Sequence, residues 1–207
     1  MSQYFAIHPD NPQPRLLRQA ADILRGGGLI AYPTDSCYAL GCRLGEKEPL
    51  ERLRRIRQAD DRHAFTLVCP DLSAIASYAQ VDNSVYRILK AYTPGPFTFV
   101  LSSTRKVPRN AWNRRRTIGI RVPDNRIVHD LLSELGEPIL SSTLLLPGDD
   151  LPLTEAWTIR EELEHVLDLV IDGGHCGIDM TTVVDLSDGE TRLLRQGAGD
   201  ASGIVAN

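Results

Sequence analysis

The chain has 207 residues, 42% of them hydrophobic and 24% charged, a length and balance that suit one globular domain with a sizeable core. Its apolar runs, such as 29–32 and 144–146, are far too short to span a bilayer, so we expect no membrane partner and no signal peptide. The four cysteines form no Cys-x-x-Cys pair and the five histidines show no metal-ligand spacing, so we expect a cytoplasmic protein with reduced cysteines and no metal site.

The net charge of −4 conceals an asymmetry along the chain. Residues 1–126 hold 20 Lys and Arg against 11 Asp and Glu, whereas residues 127–207 hold 3 against 16. Most of the positive charge lies in the stretches 43–62 and 105–126. Basic stretches of this kind suit phosphate, carboxylate or nucleic acid, and they are equally typical of a solvated surface.

Hydrophobic periodicity and turn residues predict the elements in chain order. A helix over 14–25 ends at the three glycines 26–28 and is followed by a buried strand over 29–32. Later helices are predicted at 50–57, 71–78, 83–92, 126–135 and 158–165, and later strands at 65–69, 97–101, 117–122, 139–143, 167–172, 182–186 and 192–195. This order predicts one α/β domain over residues 1–207, with helices against a twisted mixed parallel and antiparallel sheet.

A polar loop follows the first of these strands directly. Thr34 and Ser36 offer hydroxyls and Tyr38 offers a phenol, at a strand end where α/β proteins commonly bind ligands. A plain strand–turn–strand connection is the alternative.

Arg55 and Arg57 lie two residues apart at the end of a predicted helix, so they converge only where the helix unwinds. Guanidinium groups at such a place bind phosphate or carboxylate in a bidentate manner. The alternative is an exposed basic helix end that interacts favourably with the helix dipole.

Strand alternation places Thr117, Gly119 and Arg121 on one face of a predicted strand. An arginine on the face of a central strand is unfavourable unless it meets an anion, and the neighbouring glycine leaves room for a ligand. On an edge strand, Arg121 is simply exposed.

Hydroxyls at 141–143 and an arginine at 195 lie at the ends of later strands. Ser141 and Thr143 suit an oxyanion or a ribose, and they equally suit the capping of the next turn. The sequence contains no Walker loop, no dinucleotide-binding glycine fingerprint and no nucleophile elbow, so no catalytic nucleophile is assigned.

Eight motifs in this order resemble the YrdC-like family, whose best known members are threonylcarbamoyl-AMP synthases. They are Tyr-Pro-Thr-Asp-x-x-Tyr-x-Leu-Gly at 32–41, Arg-x-Arg at 55–57, Pro-Gly-Pro-x-Thr at 94–98, Gly-x-Arg-Val-Pro at 119–123, the hydroxyls at 141–143, Asp-Gly-Gly at 172–174, Thr-Val-Val-Asp at 182–185 and Leu-Arg-x-Gly at 194–197. The resemblance spans residues 16–199. The segments 7–12 and 141–148 are similar to the YciO branch of the family.

The resemblance implies a YrdC-like fold with a positively charged concave cleft. It also implies synthesis of threonylcarbamoyl-AMP from L-threonine, bicarbonate and ATP with Mg²⁺, a step of tRNA threonylcarbamoyladenosine modification. Matched residue by residue, it implies that L-threonine or a similar small acid is bound by Thr34, Arg121 and Ser141. By the same matching, the nucleotide is bound by Arg55, Arg57, Thr117, Thr143 and Arg195.

Three features depart from the family pattern. The family's Lys-x-Arg is Arg55-x-Arg57, and an arginine is not equivalent to a lysine where geometry matters. The family's Ser-Ala-Asn is Thr143-Leu144-Leu145, and the segment 58–64 is longer and lacks a proline. These changes lie at the nucleotide end, so they bear on adenylate formation more than on small-molecule or RNA binding.

A second interpretation is binding of double-stranded RNA, tRNA or ribosomal RNA without synthase activity. The basic balance before residue 127 and the run of Arg114, Arg115 and Arg116 favour it. A surface that tracks phosphates predicts affinity that falls steeply with salt. A third interpretation is a paralogue that binds a nucleotide without turnover.

Overall fold

The structure is a computed structural model that describes residues 1–58, 65–111 and 115–204. Its helices are α1 (Pro14–Arg25), α2 (Lys47–Arg57), α3 (Leu72–Tyr78), α4 (Asn83–Tyr92), α5 (Arg126–Leu135) and α6 (Ala156–Leu163). Its strands are β1 (Gln3–Ala6), β2 (Leu29–Tyr32), β3 (Ala39–Arg43), β4 (Thr66–Val68), β5 (Phe97–Ser102), β6 (Thr117–Arg121), β7 (Ile139–Thr143), β8 (Leu169–Asp172), β9 (Thr182–Asp185) and β10 (Arg192–Arg195).

Within these residues the strands form one sheet of ten strands, in the order β1-β8-β2-β3-β7-β4-β6-β5-β9-β10. The pairs β1–β8, β2–β8, β4–β6 and β5–β9 are parallel, and the remaining pairs are antiparallel. The prediction of a mixed sheet with helices is therefore confirmed. β6 lies well inside the sheet between β4 and β5, so Arg121 at its end is on a central strand.

Two strands were absent from the prediction, β1 and β3. β3 contains Gly41, which weakens a strand pattern because glycine has no side chain to bury. The structure explains this glycine, since a Cβ at Gly41 would lie 2.7 Å from Ile139 Cγ2 and 2.7 Å from Tyr32 Cε1. The side chains of the neighbouring strands leave no room for a Cβ at this position, and this restriction is visible only once the strand pairing is known.

Helices cover both faces of the sheet, and strand alternation divides the core into two clusters. Along β2, Leu29 and Ala31 join the cluster that includes side chains of α2, α3, α4 and α6. Ile30 and Tyr32 join the second cluster, which contains the buried faces of α1 and α5. α1 begins with Pro14 at its first turn, and an Asn125 side chain caps α5 by accepting a hydrogen bond from Val128 N at 3.1 Å.

The sheet face under α1 and α5 is apolar in one half and polar in the other. On this face Ile139 of β7 and Val68 of β4 are packed in the second cluster. Two residues away along the same strands, Ser141 and Thr66 carry hydroxyls instead. This half of the face is consequently free to hold a polar site.

The helices are short. In the described part of the chain, none has the combined length and hydropathy that crossing a bilayer requires.

We expect Leu24→Ala to lower the free energy of unfolding by about 2–5 kcal/mol. Leu24 is fully buried on α1 in the second cluster, so its truncation leaves a cavity in that cluster. Urea unfolding measures the loss. Leu151→Ala is the matched control, since Leu151 is 55% exposed and its change should stay within about 0.5 kcal/mol. Equal losses in the two variants would contradict this packing.

Candidate functional site

A cavity of about 240 Å³ opens on the polar half of the sheet face. Its lining includes Arg57, Arg121 and Arg195 together with residues that carry hydroxyls. The hydroxyl-bearing residues that line it are Tyr38, Thr66, Thr98, Ser141, Ser142, Thr143 and Thr181. None of the lining residues within the described ranges is acidic. The cavity therefore has the chemistry of an anion site.

Gly119 forms part of the cavity wall on β6. A Cβ at this position would lie 2.7 Å from Thr66 Oγ1 and 3.1 Å from Thr98 Cγ2. A side chain here would displace the neighbouring threonines and fill the space between them. The glycine thus keeps the cavity open beside Arg121, as the sequence pattern predicted for a close approach.

Arg121 is 7% exposed and lies at the end of β6. Its Nη2 donates to Ser36 Oγ at 2.9 Å, to Thr34 Oγ1 at 3.2 Å and to the carboxylate of Asp35. Its Nε is buried and has no hydrogen-bond partner among the described residues. A buried guanidinium with an unused donor indicates a place for a further acceptor.

Thr34 supports this arrangement from the loop between β2 and β3. Its hydroxyl donates to the carbonyl of Cys37 at 2.7 Å and accepts from Arg121 Nη2 and from Ser36 N. Thr34 is buried and is not among the residues that line the cavity. In this structure its contacts order the loop and hold Arg121, and its predicted role in substrate binding stays a prediction.

Arg57 and Arg195 reach the cavity from the ends of α2 and β10. Burial lowers the pKa of the Arg57 guanidinium, and within the described residues its buried Nε has no partner. Burial likewise lowers the pKa of Arg195, whose Nε and Nη2 donate to the Thr181 carbonyl at 3.1 and 2.8 Å. Arginine is not deprotonated in proteins, so both side chains are cations, and a bound anion would offset the cost of their desolvation.

Ser141 has a defined hydrogen-bond direction. Its hydroxyl donates to the Leu40 carbonyl at 2.9 Å, because a carbonyl can only accept. Tyr32 Oη, 2.7 Å from Ser141 Oγ, is then the donor of their shared hydrogen bond. Ser141 consequently offers a ligand an oxygen lone pair rather than a proton.

Cys37 also lines the cavity, although sequence reasoning assigned it no role. Burial raises the pKa of its thiol, an effect opposed by the Ser36 hydroxyl and by the charges of Arg121 and Arg195. Thr98, Met180 and Thr181 were likewise missed. Thr98 of β5 meets Thr181, the residue before β9, with their Oγ1 atoms 2.9 Å apart. A cross-strand pairing of this kind is not visible before the strand order is known.

Apart from Thr34, the predicted site residues divide into three groups. Arg57, Arg121, Ser141, Thr143 and Arg195 line the cavity together. Thr117 is buried two positions before Gly119, and Arg55 is exposed on α2 with its Nε 3.4 Å from the Glu51 carbonyl; neither lines the cavity. Arg115 and Arg116 are exposed, and Arg114 lies outside the described residues.

Comparison with known proteins places this chain in a family. A model of the Sua5/YciO/YrdC family, described as telomere recombination, matches residues 22–197. The chain belongs to this family. The predicted resemblance to YrdC-like proteins is thereby confirmed.

This Sua5/YciO/YrdC-family protein is similar to two relatives at different levels of sequence identity. Escherichia coli YciO is 51% identical over 97% of this chain and 98% of its own length. The crystal structure of E. coli YciO covers 99% of this chain, and this chain covers 100% of it, with a TM-score of 0.96 and 50% identity. The prediction of the YciO branch is confirmed by these matches.

The second relative is the threonylcarbamoyl-AMP synthase of Pyrococcus abyssi, 30% identical over 87% of this chain and 54% of its own length. The structure of P. abyssi Sua5 complexed with L-threonine gives a TM-score of 0.88 at 23% identity, over 98% of this chain and 60% of that one. This likeness shows a shared fold. The present chain spans little more than half of the P. abyssi protein.

We expect Tyr32→Phe to change how stability depends on alkaline pH. Tyr32 is fully buried, and burial raises the pKa of its phenol to about 12. An unfolded tyrosine titrates near pH 10, so between about pH 10 and 12 the folded protein holds a proton that the unfolded chain has lost. Its contribution to stability is therefore complete below pH 10 and falls as the pH rises.

Phenylalanine has no proton to lose, so in Tyr32→Phe this group no longer makes unfolding depend on pH. The free energy of unfolding should fall less steeply with pH, by up to about 1.4 kcal/mol per pH unit. Urea unfolding of both proteins at intervals between pH 9 and 11 measures the slopes. Identical slopes would show that Tyr32 titrates near its ordinary pKa.

Proposed function

We propose that this protein binds a small carboxylic acid and a nucleotide in the arginine-lined cavity and joins them as an adenylate. The first candidates are L-threonine, bicarbonate and ATP, with threonylcarbamoyl-AMP and pyrophosphate as products. The observation that carries the proposal is the convergence of Arg57, Arg121 and Arg195 on one cavity with no acidic lining residue in the described ranges.

Arg121 suits the carboxylate of the acid. It is the most buried of the three guanidiniums, and its unused Nε is rigidly placed by the loop that holds Nη2. A guanidinium edge binds a carboxylate with defined orientation. Ser141 would accept a hydrogen bond from a donor on the same ligand, such as an amine, because its own proton is donated to Leu40.

Arg57 and Arg195 suit the phosphates of the nucleotide. Both line the cavity beside hydroxyls, and neither forms an ion pair within the described residues. Mg²⁺ prefers oxygen ligands, and in this lining oxygens come from hydroxyls and the backbone rather than from carboxylates. The ATP phosphates are therefore expected to supply most of the ligands of Mg²⁺.

The proposed reaction has balanced steps. The threonine amine and bicarbonate form a carbamate with loss of water. A carbamate oxygen then attacks the α-phosphorus, and the bond from that phosphorus to the bridging oxygen breaks as pyrophosphate leaves with the electron pair. The arginines would position the two reactants and neutralise the developing charge, which are the main sources of rate in phosphoryl and nucleotidyl transfer.

The relatives support this choice of substrates. The P. abyssi relative is named as a threonylcarbamoyl-AMP synthase, and its structure was solved with L-threonine. The residues matched by the family pattern at Arg57, Arg121, Ser141 and Arg195 lie in one cavity in this chain.

The nucleotide base is expected to contribute little to recognition. Leu144 is fully buried, and its N–H donates to the Tyr38 carbonyl at 2.9 Å. Leu145 has an apolar side chain where the family has an amide, so this position donates no side-chain hydrogen bond to a base. Affinity should then depend on the phosphates, and GTP should bind nearly as well as ATP.

We expect Arg57→Gln to lower kcat/KM for pyrophosphate release by about 10- to 100-fold, the effect of losing one charge-assisted contact to phosphate. The assay contains ATP, Mg²⁺, L-threonine and bicarbonate. Arg57 has no hydrogen-bond or ion-pair partner in the described part of the chain, so its loss leaves no carboxylate of that part unpaired.

Arg55→Gln is the matched control two residues away on the same helix. Arg55 is exposed and outside the cavity lining, so its kcat/KM should stay within about threefold of the wild type. Wild-type protein that releases no pyrophosphate above a no-enzyme control would contradict the proposed reaction. Equal effects of the two substitutions would contradict the assignment of Arg57.

A second candidate function is RNA binding, favoured by the connection between β5 and β6. Residues 103–116 contain six Lys and Arg and no Asp or Glu. Arg105, Lys106 and Arg109 of this stretch are exposed. A surface of this composition fits the phosphates of double-stranded RNA, recognised by shape rather than by sequence.

This candidate predicts a linear fall of log K with log salt concentration for a short RNA duplex, measured by fluorescence anisotropy between 50 and 200 mM salt. Lys106→Gln and Arg109→Gln should each reduce the slope by about one unit. Arg18→Gln, an exposed arginine on α1, should leave the slope unchanged. No binding at 50 mM salt would contradict this function.

A further inference from the structure

Among the described residues, Asp35 is the acidic side chain that contacts an arginine of the cavity. Among the described residues, its carboxylate has Arg121 as its hydrogen-bond donor and salt-bridge partner. The side chain of Asp35 is 10% exposed and that of Arg121 is 8% exposed, so the pair is screened poorly by water. Asp35 itself is not among the residues that line the cavity, whereas Arg121 is.

The pair is only half satisfied. Asp35 Oδ1 accepts from Arg121 Nη2, while Asp35 Oδ2 is buried and has no partner in the described part of the chain. The same is true of Arg121 Nε. A salt bridge with only a structural purpose is most stable when the two carboxylate oxygens accept two parallel N–H bonds from the guanidinium. Here the Nε–H of Arg121 is left for another acceptor.

The other partners of Arg121 Nη2 are neutral. Thr34 and Ser36 contribute hydroxyl oxygens, which hold the guanidinium without compensating its charge. Within the described ranges, the charge of Asp35 is therefore the one that an incoming anion meets at Arg121. Two like charges a few ångströms apart on one guanidinium disfavour each other.

We propose that Asp35 is the internal counter-ion of the cavity. It holds Arg121 by one oxygen, and its negative charge keeps the affinity of the cavity for an anionic ligand low. This inference rests on the anion-binding part of the proposed function and is independent of adenylate synthesis. It makes Asp35 a residue that tunes ligand affinity through Arg121 rather than one that touches the ligand.

The direction in which one substitution changes the Kd for an anion separates this role from a purely structural one. Asp35→Asn keeps an oxygen that accepts from Arg121 and removes the charge. We expect the Kd of the variant for inorganic phosphate, measured by isothermal titration calorimetry at low ionic strength, to fall by about tenfold. A residue that only positions Arg121 would give an unchanged or higher Kd on the same substitution.

Two control variants isolate the charge at Arg121. Asp150→Asn removes one exposed carboxylate elsewhere and should leave the Kd unchanged. Ser36→Ala removes one hydrogen bond to Arg121 Nη2 without a change of charge, and no tightening is expected. In an Arg121→Gln background, Asp35→Asn should no longer tighten binding, because the guanidinium whose charge Asp35 offsets would be absent.

A folded Asp35→Asn protein that binds phosphate no more tightly than the wild type would overturn the inference and leave the proposed function standing. If neither protein binds phosphate, the anion site fails, and the proposed function fails with it. If thermal unfolding shows that Asp35→Asn does not fold, Asp35→Ser takes its place, since it keeps an oxygen acceptor without the charge.

Discussion

The burial of one guanidinium in the middle of the sheet constrains much of this structure. Arg121 is 7% exposed on a strand with neighbours on both sides, where a cation without acceptors is strongly unfavourable. The loop from Thr34 to Ser36 meets this need with two hydroxyls and a carboxylate. The loop in turn keeps its shape because Thr34 donates to the Cys37 carbonyl. One buried charge thus orders the segment that connects β2 to β3.

The division of the sheet face is the second determinant of the site. α1 and α5 cover one half of this face, and their apolar side chains require apolar partners on the strands beneath. The other half carries hydroxyls on the same strands, and Gly119 leaves space among them. A single sheet therefore provides both a packed core and a polar cavity, and β7 and β4 change from one to the other within two residues.

The chemistry of the cavity depends on charges that come from three separate parts of the chain. Arg57 ends α2, Arg121 ends β6 and Arg195 ends β10. The charges of Arg121 and Arg195 also act on Cys37, where burial raises the pKa of the thiol and these two arginines oppose that rise. Such a lining favours ligands with several negative charges.

Local physical chemistry determined the elements with strong periodicity or clear ends. α1, β2, α4, α5, β7 and β10 have the bounds that their apolar spacing and their turn residues predict. Arg121 could also be singled out from the sequence, since an arginine flanked by apolar residues and a glycine on a strand implies an anion. β3 was missed because its glycine and small residues have no strong pattern, and the reason for Gly41 lies in Ile139 and Tyr32 of other strands.

Tertiary structure alone decided which of these residues meet. Arg55 and Arg57 are indistinguishable by residue type, yet the end of α2 directs only Arg57 into the cavity and leaves Arg55 exposed. The pairing of Asp35 with Arg121 joins residues 86 positions apart, and Thr98 meets Thr181 across 83. Sequence patterns report the face and the burial of each residue, because these depend on neighbours along the chain. Contacts between distant segments depend on strand order and helix direction, which no local pattern contains.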